Sequence, residues 1–317
     1  MHKTLEDHQR MNSRPHVLFF SAAEISIPSL NALKGNTSID FVGIVTQPGR
    51  AKGRGQKISL NPIATWAETN QIPYYQAEKM DATAFDWLQN KKPDIVFVMA
   101  FGHILKKEFL DLPPLGMWNF HTSLLPKYRG ASPIQTAILS GDTITGVTLM
   151  SMVEKMDAGA WLAQLPINIE ACDTTATLTD KLAEASAVLL KQSLPTLLSR
   201  KYTLVEQDEH QVSFCKKFFK EHGELDFSKP AAVLERQIRA FQPWPGSYFF
   251  KDGERYIVHK AHVLPSTNNE SETFYIDKNR RQLLITTSEN VLSIDVLQKS
   301  GGKPLAVADF LRGNIHF

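Results

Sequence analysis

Short apolar runs alternate with helical patterns through the first half of the chain. His16–Phe20, Ile39–Val45 and Ile95–Ala100 are short runs dominated by apolar residues, and segments such as Pro62–Asn70 between them fit helices. This alternation is typical of a parallel sheet covered by helices. No G-x-G-x-x-G segment follows the first run, which argues against a dinucleotide site. We therefore predict an α/β fold with a doubly wound parallel sheet.

The second half of the chain differs in character. With 317 residues, the chain is long enough for two domains. A polar stretch from Ser199 to Phe214 is the best linker candidate. Beyond it, a helix that Ser228 is expected to cap is followed by short alternating runs separated by Gly, Asn and Asp, which suggest a small β-barrel. We expect a disordered extension at residues 1–14, a first domain at 15–200, a linker at 201–217 and a second domain at 218–317.

Composition excludes several classes of protein. Hydrophobic residues make up 43% and charged residues 21%, the proportions of an ordinary globular chain, and no apolar run approaches the eighteen residues of a membrane span. The net charge of +2 falls short of the basic character of a dedicated nucleic-acid binder. Cys172 and Cys215 form no C-x-x-C motif, so neither a zinc site nor a disulfide framework is indicated. The cytoplasm is the expected location.

Three polar residues suggest a catalytic site. Asn119 and His121 lie two apart in the strand predicted at Met117–Thr122, and alternation in a strand places both on one face. Asp157 lies in the loop between two further extended segments. Taken singly, each has a more ordinary explanation as a core residue, a turn residue or a cap. A hydrolase that uses Ser123 is disfavoured because no G-x-S-x-G elbow surrounds that serine.

The segment that starts at Asn119 carries a family resemblance. It reads N-F-H-T-S-L-L-P-K-Y-R-G-A-S-P-I and is followed by T-G-V-T-L-M and by M-D-A-G. These segments together resemble the folate-dependent formyltransferases. Arg239–Tyr248 and Gly302–Gly313 are similar to that family's C-terminal region, so the resemblance runs from about His16 to Gly313. It implies a Rossmann-like formyltransferase domain followed by a small C-terminal OB-like β-barrel.

The resemblance also implies the roles of individual residues. It makes Asn119, His121 and Asp157 catalytic, with 10-formyltetrahydrofolate as co-substrate and no metal. Formyl transfer to an amine develops an oxyanion that Asn119 and His121 can stabilise, and Asp157 can take a proton directly or through water. The folate-binding residues that it implies are Ser123, Leu124, Leu125, Pro126, Phe101, Gly102 and Ile104. A hydrophobic hairpin without a ligand is the alternative for residues 101–105.

A basic loop follows the second predicted strand. Residues 50–57 read R-A-K-G-R-G-Q-K, in which cations alternate with glycines and no apolar period is present. An exposed, solvated loop explains this composition, and so does a loop that contacts phosphates. The resemblance implies that Arg50, Lys52 and Arg54 bind initiator methionyl-tRNA. A monomer with no membrane partner is expected.

Three functions remain open on the sequence. The first is formylation of methionine on initiator tRNA, for translation initiation. The second keeps the folate chemistry but changes the acceptor to a sugar-nucleotide amine or, in a 10-formyltetrahydrofolate hydrolase, to water. The third is an RNA-binding protein without catalysis. The chain departs from the family's Gly-Thr-Pro turn at Ser21-Ala22-Ala23, and Met156, Ala158 and Ala160 depart from its usual Leu-Asp-Thr-Gly-Asp run.

Overall fold

The computed structural model describes residues 14–49, 51–52, 57–266, 273–277, 279 and 281–313. The chain divides into two compact units. Among the described residues, the first unit contains the segment up to Arg129, Gly146–Ile167 and Asp180–Phe214, and the second contains Gly130–Thr145, Asn168–Thr179 and the segment from Cys215 onward. Of the extension predicted at residues 1–14, all but Arg14 lies outside the described residues.

The secondary structure up to residue 215 alternates strands and helices. The strands are β1 His16–Phe20, β2 Asp40–Thr46, β3 Ala51–Lys52, β4 Lys57–Ile58, β5 Tyr74–Gln76, β6 Ile95–Val98, β7 Met117–His121, β8 Arg129–Gly130, β9 Ile144–Ser151, β10 Trp161–Asn168 and β11 Phe214–Cys215. The α-helices are α1 Ile27–Lys34, α2 Pro62–Thr69, α3 Ala82–Lys91, α4 Lys107–Leu110, α5 Pro133–Ser140 and α6 Thr175–Ser199. Short 3-10 helices lie at Glu24–Ser26 and Glu209–Gln211.

A seven-stranded sheet organises the first unit, in the order β10-β9-β7-β6-β1-β2-β5. β1 is parallel to β2 and β6, β2 to β5, and β6 to β7. The β1 segment Val17–Phe20 is completely buried, as expected of a central strand covered on both faces. The predicted α/β fold with a mostly parallel sheet is confirmed. β9 is antiparallel to β7, which the alternation of sequence patterns does not reveal.

The polar stretch predicted as a linker, residues 201–217, packs within the first unit over part of its length. Val205 exchanges two backbone hydrogen bonds with Trp161, and the Gln207 side chain is buried. The absence of an apolar period in this stretch therefore reflects polar side chains that form internal hydrogen bonds. The domain boundaries inferred from the sequence stay a prediction.

The second unit contains an antiparallel sheet. Its strands are β12 Ser247–Lys251, β13 Glu254–Leu264, β14 Phe274–Asp277, β15 Gln282–Thr286, β16 Val291–Lys299 and β17 Leu305–Ala306. Their order is β12-β13-β16-β15-β14, and β17 also pairs with β16. The helices beyond residue 215 are the 3-10 helix Lys220–Gly223, α7 Ala231–Ala240 and α8 Val307–Gly313. Leu234 and Ile238 of α7 pack against sheet residues such as Phe249 and Leu292. The OB-like closure of this sheet stays a prediction.

The start of α7 corrects one expectation. Ser228 was expected to cap this helix, but α7 begins at Ala231 after Pro230, with no side-chain hydrogen bond to its first turn. The Ser228 hydroxyl donates instead to Asp226 Oδ1 at 2.6 Å. Proline, which lacks an N–H and has a fixed φ, determines where this helix starts. None of the helices among the described residues combines the length and apolarity needed to cross a membrane.

Candidate active site

Asn119 and His121 lie on β7, between β6 and β9. Asn119 is opposite Val98 of β6 and Met150 of β9, and His121 is opposite Thr148 of β9. Hydrogen-bonded strands on both sides fix the backbone of β7, and strand alternation places the two side chains on the same face. His121 is only 6% exposed. The site is therefore built on a rigid central strand.

The imidazole of His121 has two distinct edges. Its Nε2 atom lies 2.9 Å from the carbonyl oxygen of Tyr128, and its Nδ1 atom lies 3.7 Å from Oδ2 of Asp157. Because a carbonyl oxygen can only accept, Nε2 carries a hydrogen and donates it to Tyr128. The Nδ1 edge is the one left to face Asp157. The distance of 3.7 Å is too long for a direct hydrogen bond but is within reach of one bridging atom.

Asp157 lies in the connection between β9 and β10, residues 152–160, which we call the Asp157 loop. Its backbone is left-handed, with φ of 51°, a conformation that few residues other than glycine adopt. Gly159 in the same loop passes so close to Ser151 that a Cβ atom there would clash with the Ser151 carbonyl oxygen. This close approach explains why glycine occupies the last position of the M-D-A-G segment.

The Gln207 amide supports the Asp157 loop from outside. Its Nε2 atom donates to the carbonyl oxygens of Asp157 and Gly159, at 2.8 Å each. Its Oε1 atom accepts from Nε of Arg129 at 2.9 Å. Arg129 is fully buried and also donates through Nη2 to Oε1 of Glu209 at 2.9 Å. This hydrogen bond is the main cause that lowers the pKa of the Glu209 carboxyl.

The turn after β7 is fixed mainly by polar groups of β9 and β10. Thr148 Oγ1 of β9 donates to the Ser123 carbonyl oxygen at 2.6 Å and accepts from Leu125 N at 3.1 Å. Gln164 Nε2 of β10 donates to the Leu125 carbonyl oxygen at 2.7 Å. Ser123 is buried, and its hydroxyl donates to the Lys127 carbonyl oxygen at 2.6 Å. Of the folate-binding residues predicted here, Ser123 and Leu125 therefore have buried side chains, whereas Leu124 and Pro126 are partly exposed.

The other predicted folate-binding residues lie in the loop after β6 and differ in their exposure. Phe101 is buried in the core of the first unit, where its ring centroid lies 5.1 Å from that of Phe20. Gly102 and Ile104 are exposed, and Ile104 is 86% accessible. The Gln47 amide donates to the Phe101 carbonyl oxygen at 2.7 Å and supports this loop. Of the three folate-binding residues predicted in this loop, Gly102 and Ile104 are the exposed ones.

The predicted tRNA-binding residues fall largely beyond what the structure describes. Arg50 and Arg54 lie outside the described residues, and for Lys52 only the backbone is described. Ala51 and Lys52 of β3 pair in antiparallel register with Ile58 and Lys57 of β4. The sequence predicted a loop throughout this segment, whereas its two ends form a short hairpin ladder.

The turn at Ser21-Ala22-Ala23, which departs from the family pattern, is held by hydrogen bonds at the end of β1. Ser21 N donates to Val45 O, Ala22 N donates to Ala100 O, and the Ser26 hydroxyl donates to Ser21 Oγ at 2.8 Å. Ser21 is completely buried. The serine therefore supports the turn from inside the first unit.

The sequence did not identify Tyr128, Arg129 and Gln207 as parts of the site. Tyr128 contributes a backbone carbonyl, which any residue could supply. Arg129 and Gln207 are buried and bind each other although they lie 78 residues apart in the chain. Among the described residues, no cluster of three or more potential metal ligands occurs.

Comparison with protein families agrees with this architecture. The formyl transferase family model matches residues 17–194, and the model of the formyl transferase C-terminal domain matches residues 217–314. A methionyl-tRNA formyltransferase from Pediococcus pentosaceus is 36% identical over 305 residues, which cover 95% of this chain and 95% of that protein.

Solved structures with low sequence identity share the fold. HypX from Aquifex aeolicus, in complex with tetrahydrofolic acid, aligns with a TM-score of 0.65 and 16% identity over 96% of this chain, which spans 48% of HypX. An N-formyltransferase from Helicobacter canadensis, in complex with folinic acid and dTDP-3-aminofucose, aligns with a TM-score of 0.65 and 19% identity over 90% of this chain and 99% of that protein. With the family model matching more than half of its residues and 36% identity over nearly its whole length, the chain belongs to the formyl transferase family.

Proposed function

We propose that this protein transfers the formyl group of 10-formyltetrahydrofolate to the amino group of methionine on initiator methionyl-tRNA. The observation that carries the proposal is the pair of the buried His121 and the partly buried Asp157, with 3.7 Å between Nδ1 and Oδ2, beside Asn119 on the same strand face as His121. The near full-length identity with a methionyl-tRNA formyltransferase supports this acceptor. A role in translation initiation in the cytoplasm is part of the proposal.

The chemistry requires an oxyanion site and a proton acceptor. The neutral amine attacks the formyl carbon, the bond from that carbon to N10 of the folate breaks, and one proton passes from the amine to N10. The Asn119 amide and the Nδ1–H of a doubly protonated His121 are the proposed donors to the oxyanion, since Nε2 already donates to the Tyr128 carbonyl oxygen. One such donor is typically worth a factor of about 10² to 10³ in rate. Asp157 is the proposed acceptor of the amine proton, directly or through water.

The folate is proposed to bind beside this pair, at the loops that follow β6 and β7. Gly102 and Ile104 offer an exposed surface after β6. The 123–126 turn is held rigid by Thr148 and Gln164, so its backbone and the partly exposed Leu124 and Pro126 can form a fixed wall. In open α/β sheets, ligands bind at the carboxyl ends of parallel strands, which is where both loops leave the sheet.

A competition assay tests the acceptor. The protein is given 10-formyltetrahydrofolate with charged initiator tRNA, an amino-sugar nucleotide and water, and all three products are measured. We expect formyl-methionyl-tRNA to dominate, with uncharged tRNA as the control that receives no formyl group. Preferential formylation of the sugar nucleotide, or release of formate as the main product, would overturn the proposed acceptor while leaving the folate chemistry in place.

The basic loop provides an independent test of tRNA as the partner. If Arg50, Lys52 and Arg54 contact phosphates, each contact releases condensed counterions, so tRNA binding weakens as the salt concentration rises. Replacing all three by Gln should raise KM for charged tRNA and make the slope of log affinity against log salt shallower by up to about 2.7. Because the sequence predicts a surface loop, Tm and folate affinity should be unchanged. The measurement is tRNA binding across a salt series.

The control for this experiment removes the same charge elsewhere. Lys34, Lys79 and Lys92 are exposed in the first unit, and their replacement by Gln gives an equal change in net charge. We expect this control to keep a salt slope close to that of the unmodified protein. Equal slopes and affinities for all three proteins would contradict a phosphate-binding role for the loop.

A further inference from the structure

The Asp157 loop depends on contacts from outside itself. Asp157 adopts a left-handed backbone conformation between Met152, which bonds Met117 of β7, and Ala160, which bonds Ser151 of β9. A residue in this conformation keeps its place only when surrounding groups hold it there. In the described part of the chain, the side chain that bonds two carbonyl oxygens of this loop is Gln207.

The orientation of the Gln207 amide follows from its partners. Arg129 has only N–H donors, so the amide oxygen must face Arg129 and the amide nitrogen must face the loop. Both hydrogens of that nitrogen are then used, one on the Asp157 carbonyl and one on the Gly159 carbonyl, at 2.8 Å each. Because Gln207 is only 8% exposed, water competes poorly for these bonds. The amide therefore holds the loop at two points in a single orientation.

Arg129 links the supports of both catalytic side chains. Its guanidinium is fully buried and is held by Glu209, which also lies 3.5 Å from Lys155 Nζ in the Asp157 loop. The preceding residue, Tyr128, supplies the carbonyl oxygen that accepts from Nε2 of His121. Two consecutive residues, Tyr128 and Arg129, thus set the position of His121 directly and that of Asp157 through Gln207.

We propose that Gln207 is a positioning residue for formyl transfer, which places the Asp157 carboxylate opposite the Nδ1 edge of His121, and that Arg129 orients Gln207 for this role. The inference rests on the proposed function, since it assigns Asp157 a part in the reaction. Displacement of a catalytic group by about 1 Å can cost a factor of about 10² in rate, so a small shift of the loop is enough to be measured.

A double-mutant cycle tests the proposal. Gln207→Glu keeps the shape of the side chain and its acceptor for Arg129, but it replaces the two loop donors by a carboxylate oxygen that faces two carbonyl oxygens. We expect the single-turnover rate at saturating tRNA to fall about tenfold or more, with folate affinity unchanged. In an Asp157→Asn background, the same substitution should change the rate by less than about twofold, because Gln207 acts through Asp157.

Gln237 provides a matched control. This side chain is 7% exposed and likewise donates from Nε2 to two carbonyl oxygens, those of His222 and Glu224, in the second unit. Gln237→Glu should lower Tm, and any effect on the rate should be the same with and without Asp157→Asn. If Gln207→Glu does not fold, Arg129→Lys enters the same cycle, since lysine keeps the charge but cannot bond Gln207 and Glu209 with a planar fork.

The outcomes separate this proposal from the proposed function. Asp157→Asn with an unchanged rate would remove Asp157 from the reaction, and with it the basis for a positioning role. Asp157→Asn with a reduced rate, combined with losses from Gln207→Glu or Arg129→Lys that are equal in both backgrounds, would overturn the positioning role alone. Losses that disappear in the Asp157→Asn background would support it.

Discussion

The strand β7 and the Asp157 loop bring the three proposed catalytic residues together by different physical means. β7 is paired on both sides, so the spacing of two residues between Asn119 and His121 fixes their common face. The Asp157 loop receives two side-chain hydrogen bonds from Gln207, 50 residues further along the chain. Local geometry thus determines one half of the site, and a contact between distant residues determines the other.

Substitution of the strand histidine should have the largest effect. His121→Ala removes a donor that serves mainly the transition state, so kcat should fall by about 10² or more while folate binding is retained. The measurement is single-turnover formylation alongside a folate titration. His16→Ala is the control, because His16 is also a partly buried strand histidine, with its ring 3.1 Å from the Lys91 carbonyl oxygen. Equal losses for both variants would show that His121 has only a structural role.

A substitution in the Asp157 loop should lower the rate by displacing Asp157. In Gly159→Ala, the new Cβ atom would clash with the Ser151 carbonyl oxygen, so the loop must shift. We expect the free energy of unfolding to fall by about 1–3 kcal/mol and the single-turnover rate to fall about tenfold. Gly313→Ala is the control, since a Cβ atom there would meet no described atom within 4 Å. A Gly159→Ala protein with unchanged Tm and rate would contradict the tight fit of the loop.

The same distinction explains which structural features the sequence predicts well. Short-range signals are reliable. An aspartate just before a helix indicates a cap, and Asp81 accepts from Thr83 N and Ala84 N at the start of α3. The apolar run at His16–Phe20 is a strand, and the run at Ile95–Ala100 contains the strand Ile95–Val98. These features depend on chemistry within a few residues. Ser228 shows the limit of such rules, because Pro230 sets the start of the helix and the serine bonds Asp226 instead.

Features that depend on contacts between residues distant in the chain are not predicted by the sequence in this way. The apolar character of Phe101 fits a ligand pocket and a core equally well, and the sequence does not show that its ring packs against Phe20. Gln207 lies in a stretch whose polar composition suggests a linker. Nothing near it in the sequence indicates that Arg129 binds it. Buried polar pairs of this kind depend on the completed fold.

Substitution of Glu209, which contacts Arg129 and Lys155, should have the smallest effect. The hydrogen bond from Arg129 is the main cause that lowers the pKa of Glu209 below its ordinary value in the folded protein. A carboxyl with a lowered folded pKa stabilises the fold above its unfolded pKa, and this stabilisation is lost as the pH falls through the folded pKa. Glu209→Gln should therefore lower Tm slightly at about pH 7, and the difference should shrink as the pH falls below the ordinary carboxyl pKa of 4.5.

The expected difference is small because the Glu209 side chain is 60% exposed, so that water and salt screen its interaction with Arg129. The control is Glu78→Gln, which removes another exposed carboxylate of the first unit. Thermal melts of the three proteins at low salt, across this pH range, are the measurement. A difference between the unmodified protein and Glu209→Gln that stays constant with pH would show that the charge of Glu209 does not stabilise the fold. Arg129 would then be held by Gln207 and its buried surroundings, and the ion pair between Glu209 and Lys155 would not stabilise the fold.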